Sequence, residues 1–173
     1  MIAVSHIWVC GLDEVESVAE RVRPGRLISL LPANEQPPTP LGMRASDHLR
    51  VLVDDIERPG MGLSAPARSH VRELIRFLRA CPPRASVLIH CFAGVSRSPA
   101  AALIALALDA PGREHEAATA LRRAAPFACP NRLLVELADA ALGRQGALAA
   151  AREAMGEPDR SCELAVFRVA RNF

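Results

Sequence analysis

The segment from Ser86 to Leu108 constrains the fold more than any other part of the chain. Val87-Leu88-Ile89 is a continuous apolar run, as expected of a strand buried on both faces of a mostly parallel sheet. Ser98-Pro99 then opens an alanine-rich apolar segment that runs to Leu108, with Ser98 placed as N-cap and Pro99 as the first helical residue. This segment is well short of the roughly twenty residues that span a bilayer, so it reads as a buried helix. Between strand and helix stands His90-Cys91-Phe92-Ala93-Gly94-Val95-Ser96-Arg97, a tight loop with a thiol where it starts and a guanidinium where it ends.

The rest of the chain alternates in the same way. Apolar runs predict strands over His6–Cys10, Arg26–Leu31, His48–Val53 and Ser86–His90. Helical spacing predicts helices over Asp13–Arg23 with Asp13 as cap, Ala67–Ala80, Arg113–Ala125 and Asn131–Leu142. Pro82-Pro83 marks the end of the second of these. Residues 32–47, with Pro32, Asn34, Pro37, Pro38 and Pro40, read as an irregular connection, and Glu57–Pro66, containing Arg58-Pro59-Gly60-Met61-Gly62, as a loop. Beyond Gly143, Gln145–Met155 suggests a helix and Glu163–Val169 a strand. The expected fold is α/β, a central mostly parallel sheet of four or five strands flanked by helices. One domain is expected over residues 1–173, with 143–173 as a C-terminal extension.

Composition narrows the function classes. The net charge of +2 is too small to point to nucleic acid or an anionic membrane, and no run is long enough for a membrane span. All 21 basic residues are arginine, which reads as the mark of a GC-rich genome. No secretory leader is visible in Met1–Gly11. The five cysteines are odd in number and lack both disulfide and CxxC metal spacing, so a cytoplasmic protein without metal or cofactor is expected.

Cysteine and arginine six positions apart mean little alone, because Cys162 and Arg168 repeat the spacing. There the intervening Glu-Leu-Ala-Val-Phe is bulky, acidic and without glycine, so it cannot wrap an anion. Around Cys91 the context differs. Successive backbone N–H groups can form an oxyanion nest, Gly94 permits conformations closed to other residues, and the following helix adds its positive end. The same field favours the thiolate, the attacking form. Arg97 offers a planar fork that matches two phosphoryl oxygens.

His-Cys-Phe-Ala-Gly-Val-Ser-Arg-Ser at 90–98 resembles the signature of the cysteine-dependent protein tyrosine phosphatases, HC-x5-R-S/T. The wording is closest to the dual-specificity group and to small bacterial relatives. The resemblance implies the fold of that superfamily, of phosphotyrosine protein phosphatases II type. It also implies Cys91 as nucleophile, Phe92, Ala93, Gly94, Val95, Ser96 and Arg97 as the phosphate-binding loop, and Ser98 as the hydroxyl that assists breakdown of a phosphocysteine. His90 is implied to tune the thiolate. Members of the family use an aspartate after an upstream strand as general acid, which a poor leaving oxygen requires. Asp54 and Asp55 stand there, 37 and 36 positions before Cys91, with Asp55 favoured and Asp47 and Glu57 weaker candidates. Pro130-Asn131 resembles a pair whose asparagine supports the catalytic loop, although Asn131 also suits a plain helix N-cap.

The likeness spans about residues 26–142. No Trp-Pro-Asp segment, no aromatic phosphotyrosine-recognition segment and no loop lysine accompany it. The expected substrate is a phosphorylated protein, phosphotyrosine first. A small phosphate ester or phosphoinositide stands as the alternative within the same chemistry, and a non-catalytic phosphate-binding module as the alternative outside it.

Overall fold

Five strands form one sheet in the order β3-β2-β4-β1-β5: β1 (His6–Cys10), β2 (Arg26–Leu31), β3 (His48–Leu52), β4 (Val87–His90) and β5 (Phe167–Ala170). The computed structural model describes residues 5–58, 63–82 and 85–173; Pro59–Gly62 and Pro83, named above as loop and helix end, lie outside them. β1 to β4 run parallel, and β5 pairs antiparallel with β1. The carboxyl ends of four strands therefore share one edge of the sheet, where ligands bind in open α/β folds.

Among the described residues six α-helices cover the sheet: α1 (Val15–Val22), α2 (Arg68–Arg79), α3 (Arg97–Asp109), α4 (Glu114–Ala124), α5 (Arg132–Leu142) and α6 (Ala147–Ala154). Ile7, Val9, Ile28, Leu30, Val51 and Ile89 pack on one face against α2 and α3, in the larger core that α5 joins through those two helices. Leu27, Leu88 and Cys10 face the other way, against Val15, Val18 and Ala19. Alternation along buried parallel strands thus feeds two cores at once. Nearly all of α3 is buried, which explains why it is apolar all round rather than striped.

Several boundaries differ from expectation. Asp13 caps nothing: Leu12–Glu14 is one turn of 3-10 helix, and the Glu14 carboxylate accepts the Gly11 N–H at 2.9 Å instead. α3 begins at Arg97, one residue before the expected cap, with Ser96 in the N-cap position and Ser98 inside the first turn. Pro99 is tolerated there because the N–H it lacks has no partner within a first helical turn. Of Glu163–Val169 only Phe167–Val169 is strand, continued by Ala170.

Residues 143–173 join the larger core rather than hang from it. Leu148, Ala151, Phe167 and Val169 are buried there. The Asp139 carboxylate starts α6 by accepting the N–H groups of Gly146 at 2.7 Å, Leu148 at 2.8 Å and Ala149 at 3.3 Å.

Candidate active site

Cys91 is the first residue past β4 and is buried, with Sγ 3.1 Å from the Ser98 hydroxyl. The loop after it keeps its shape by turning carbonyls outward. The Phe92 carbonyl accepts the Leu12 N–H at 2.9 Å, and Val95 accepts that of Cys129 at 2.8 Å. The Ser96 carbonyl takes those of Ala100 at 3.0 Å and Asn131 at 3.2 Å. A trans peptide directs the next N–H opposite to its carbonyl, so each outward anchor turns a donor the other way. Gly94 sits at φ +74°, and a Cβ there would meet the Cys10 carbonyl carbon and oxygen at 3.0 Å. Both conformation and space therefore require glycine.

Arg97 opens α3 and is buried, with one terminal nitrogen donating to the Val53 carbonyl at 3.0 Å. That bond ties the loop to the segment leaving β3. Its Nε has no hydrogen-bond partner among the described residues, and the nearest acid, Asp55 Oδ2, is 3.8 Å away. A buried, open guanidinium donor at the floor of a polar loop suits an oxyanion.

The two candidate acids do different things. Asp54 fastens the base of its loop: its N–H donates to the Ser64 carbonyl at 2.8 Å, and its carboxylate accepts the Ser64 N–H at 2.6 Å. Asp55 turns to the cysteine loop, accepting from the Ser96 hydroxyl at 2.7 Å and the Asn131 amide at 3.0 Å. Asn131 also caps α5, its side chain accepting the Leu134 N–H at 3.0 Å, while its backbone N–H rather than its side chain bonds the cysteine loop at Ser96. The weaker candidates lie elsewhere. Asp47 pairs with Arg26 and Arg44, and Glu57 accepts the Arg132 N–H at 2.7 Å at the start of α5.

Behind the loop, His90 is fully buried and its Nε2 is 2.5 Å from the Ser29 hydroxyl. Ser29 is in turn 2.7 Å from His48 Nε2, and His48 Nδ1 is 3.0 Å from the Thr39 hydroxyl. Arg50 donates to Thr39 at 3.1 Å and to the Pro37 carbonyl at 3.0 Å. Burial, then the charge of Arg50, then His90 push the His48 imidazole down to about 4. Burial likewise brings His90 to about 4, opposed by its bond to the Cys91 backbone and reinforced by Arg97. Cys10, beside the loop, goes the other way: burial, then Glu14 and Cys91, raise its thiol to about 12 and keep it protonated.

A cavity of about 390 Å3 opens over these groups. Cys91, Phe92, Ala93, Val95, Ser96 and Arg97 line it together with Asp54 and Asp55, as do Pro32 and Glu35 from the irregular connection after β2. Phe92 is 61% exposed on its lining, whereas Gly94 is buried against Cys10 and Gly11 and does not line it. Ser29, His48, Thr39 and Arg50 were also missed as site residues. The available signal was Ser29 itself, the one polar residue within Leu27-Ile28-Ser29-Leu30-Leu31.

No protein-family model matches the chain, and no curated protein sequence does. Solved structures do. The crystal structure of DUSP15 is 18% identical with TM-score 0.59, over 90% of this chain and 91% of that one. Human DUSP28 is 21% identical with TM-score 0.59, over 80% and 94%. PTPMT1 in complex with PI(5)P is 16% identical with TM-score 0.54, over 79% and 90%. At such identities the likeness is one of architecture, reached independently of the nine-residue signature. The chain has the fold of the cysteine-dependent dual-specificity and tyrosine phosphatases.

Proposed function

We propose that this protein is a phosphatase that hydrolyses phosphomonoesters through a cysteinyl-phosphate on Cys91, with phosphotyrosine in proteins as its first substrate class. The observation that carries the reading is the convergence on one cavity of a buried thiol, an open buried guanidinium and Asp55. In the first step the Cys91 thiolate attacks phosphorus. The P–S bond forms as the P–O ester bond breaks, and the leaving oxygen takes a proton from Asp55. Arg97 and the loop N–H groups hold the equatorial oxygens as charge spreads over them. In the second step water attacks phosphorus and gives its proton to the Asp55 carboxylate. The P–S bond breaks, and the thiolate returns to the Ser98 hydroxyl 3.1 Å away. Asn131 and Ser96 keep Asp55 at the mouth of the loop.

The exposed ring of Phe92 supplies an apolar wall for an aryl ester beside Pro32. Glu35 and Asp54 on the rim oppose substrates with several phosphates. One observation favours a second reading, a phosphoinositide or other small phosphate ester: the shared fold with PTPMT1, crystallised with PI(5)P. Rapid acid quenching of the enzyme with an aryl phosphate, in the presence of EDTA, should trap one phosphoryl group on Cys91. A panel of phosphopeptides, nucleotides and inositol phosphates should then show phosphotyrosine peptides turned over fastest. Absence of the phosphocysteine refutes the mechanism, and faster inositol phosphates transfer the substrate to the second reading. On this reading residues 1–173 act as one phosphatase domain.

A further inference from the structure

The polar side chains behind Cys91 cross three strands, from β3 through β2 to β4, on the α1 side of the sheet. Their hydrogen-bond directions follow from the two ends. At one end His90 Nδ1 lies 3.3 Å from the Cys91 carbonyl, which only accepts, so Nδ1 carries the proton. A neutral imidazole has one N–H, so His90 Nε2 is the acceptor and the Ser29 hydroxyl donates to it. Ser29 has then used its proton and must accept, which places the His48 proton on Nε2. His48 Nδ1 accordingly accepts from Thr39, and Thr39 accepts from Arg50, which only donates. Every link is satisfied once with both imidazoles neutral. The low values of about 4 for both rings agree with that state, as do Arg50 facing His48 and Arg97 facing His90.

We propose that Arg50, Thr39, His48 and Ser29 are positioning residues: their hydrogen bonds run one way to His90 and through it fix the Cys91 carbonyl in the nucleophile loop. Holding that carbonyl toward His90 turns the Phe92 N–H in the opposite direction, away from the sheet. The first donor of the anion-binding loop is thereby set before substrate arrives. A charged donor at the far end orders the hydroxyls between, because hydrogen bonds in series polarise one another. The consequence for catalysis rests on the phosphatase reading above; the hydrogen-bond order does not.

The two histidines should therefore be opposite tautomers. In 15N-histidine-labelled protein, with resonances assigned through His48→Gln and His90→Asn, His90 should carry its proton on Nδ1 and His48 on Nε2 at pH 7. Two rings of the same tautomer, or a doubly protonated ring at that pH, would overturn the proposal. Ser29→Ala should slow alkylation of Cys91 by iodoacetamide, and lower kcat/KM on an aryl phosphate, by roughly 10-fold. Thr39→Val, at a half-buried position that does not endanger folding, should shift the His48 15N signals and lower both rates by about 3-fold, with Thr39→Ser restoring them. Should Ser29→Ala fail to fold, Thr39→Val decides: unchanged 15N signals and rates refute the chain. Wild-type protein with the expected tautomers but no phosphatase activity would support the chain and refute the phosphatase reading alone.

Discussion

Cys91 follows the central parallel strand and Arg97 begins a buried helix, whereas Cys162 closes a surface turn and Arg168 lies in the antiparallel edge strand. The spacing is the same in both. At the first, strand and helix point the ends of the loop at one cavity, and outward carbonyl bonds shape what lies between. At the second, the Cys162 thiol donates to Asp159 at 3.4 Å, a bond to an acid that raises its pKa. Arg168 lies over the Trp8 ring, 5.2 Å from its centroid. The difference teaches that a nucleophile loop is made by what enters and leaves it. A thiol that hydrogen-bonds a carboxylate is held as the thiol, whereas Cys91 faces the Ser98 hydroxyl instead.

The sharpest way to break this comparison is to exchange the two thiols. Cys91→Ser should abolish phosphate release, a fall of more than about 10⁴-fold, while Cys162→Ser keeps the wild-type rate. Equal rates for both variants in a phosphate-release assay would place the nucleophile elsewhere.

The aspartates sharpen it further, since Asp54 and Asp55 both line the cavity but only Asp55 bonds to the cysteine loop, at Ser96. Asp55→Asn should lower kcat by roughly 10²-fold on an alkyl phosphate and much less on an aryl phosphate with a good leaving group. Asp54→Asn should leave that leaving-group dependence intact and loosen the loop that Ser64 clasps. Should Asp54→Asn alone flatten the dependence, the acid is Asp54.

The smallest effect concerns pH. Between about 4 and 6.5 the unfolded chain protonates His48 and His90 while the folded chain leaves both neutral. Stability from these groups is thus complete above pH 6.5 and is lost as pH falls toward 4. Thermal unfolding should show Tm falling by several degrees across that interval, and His48→Gln should flatten the slope. A slope unchanged in that variant would mean His48 contributes nothing to it.

Much of the architecture was legible. β1 and β2 matched their apolar runs residue for residue, and the other strands and helices were found with ends displaced by a few positions, because local patterns mark the middle of an element better than its caps. The start of α3 was misplaced because Ser98-Pro99 has the composition of a helix start, while the actual start follows from how Ser96 and Arg97 are held by Asp55 and Val53. Such partners lie more than forty positions away in the chain, beyond what local pattern records. Separation along the chain also hid Glu35 and Pro32 on the cavity rim and the pairing of Ser29 with His48, 19 positions on, and His90, 61 positions on.

By itself the sequence determined the strand, the glycine-centred loop and the apolar helix, because periodicity, a positive-φ position and continuous burial are properties of neighbours along the chain. Tertiary structure alone decided which aspartate meets the loop, because Asp54 and Asp55 differ only in which way the backbone past β3 turns them. It also decided that an isolated serine in β2 links two buried histidines, because strand order and register bring Ser29 level with His90 and two pairs from His48 on the same face.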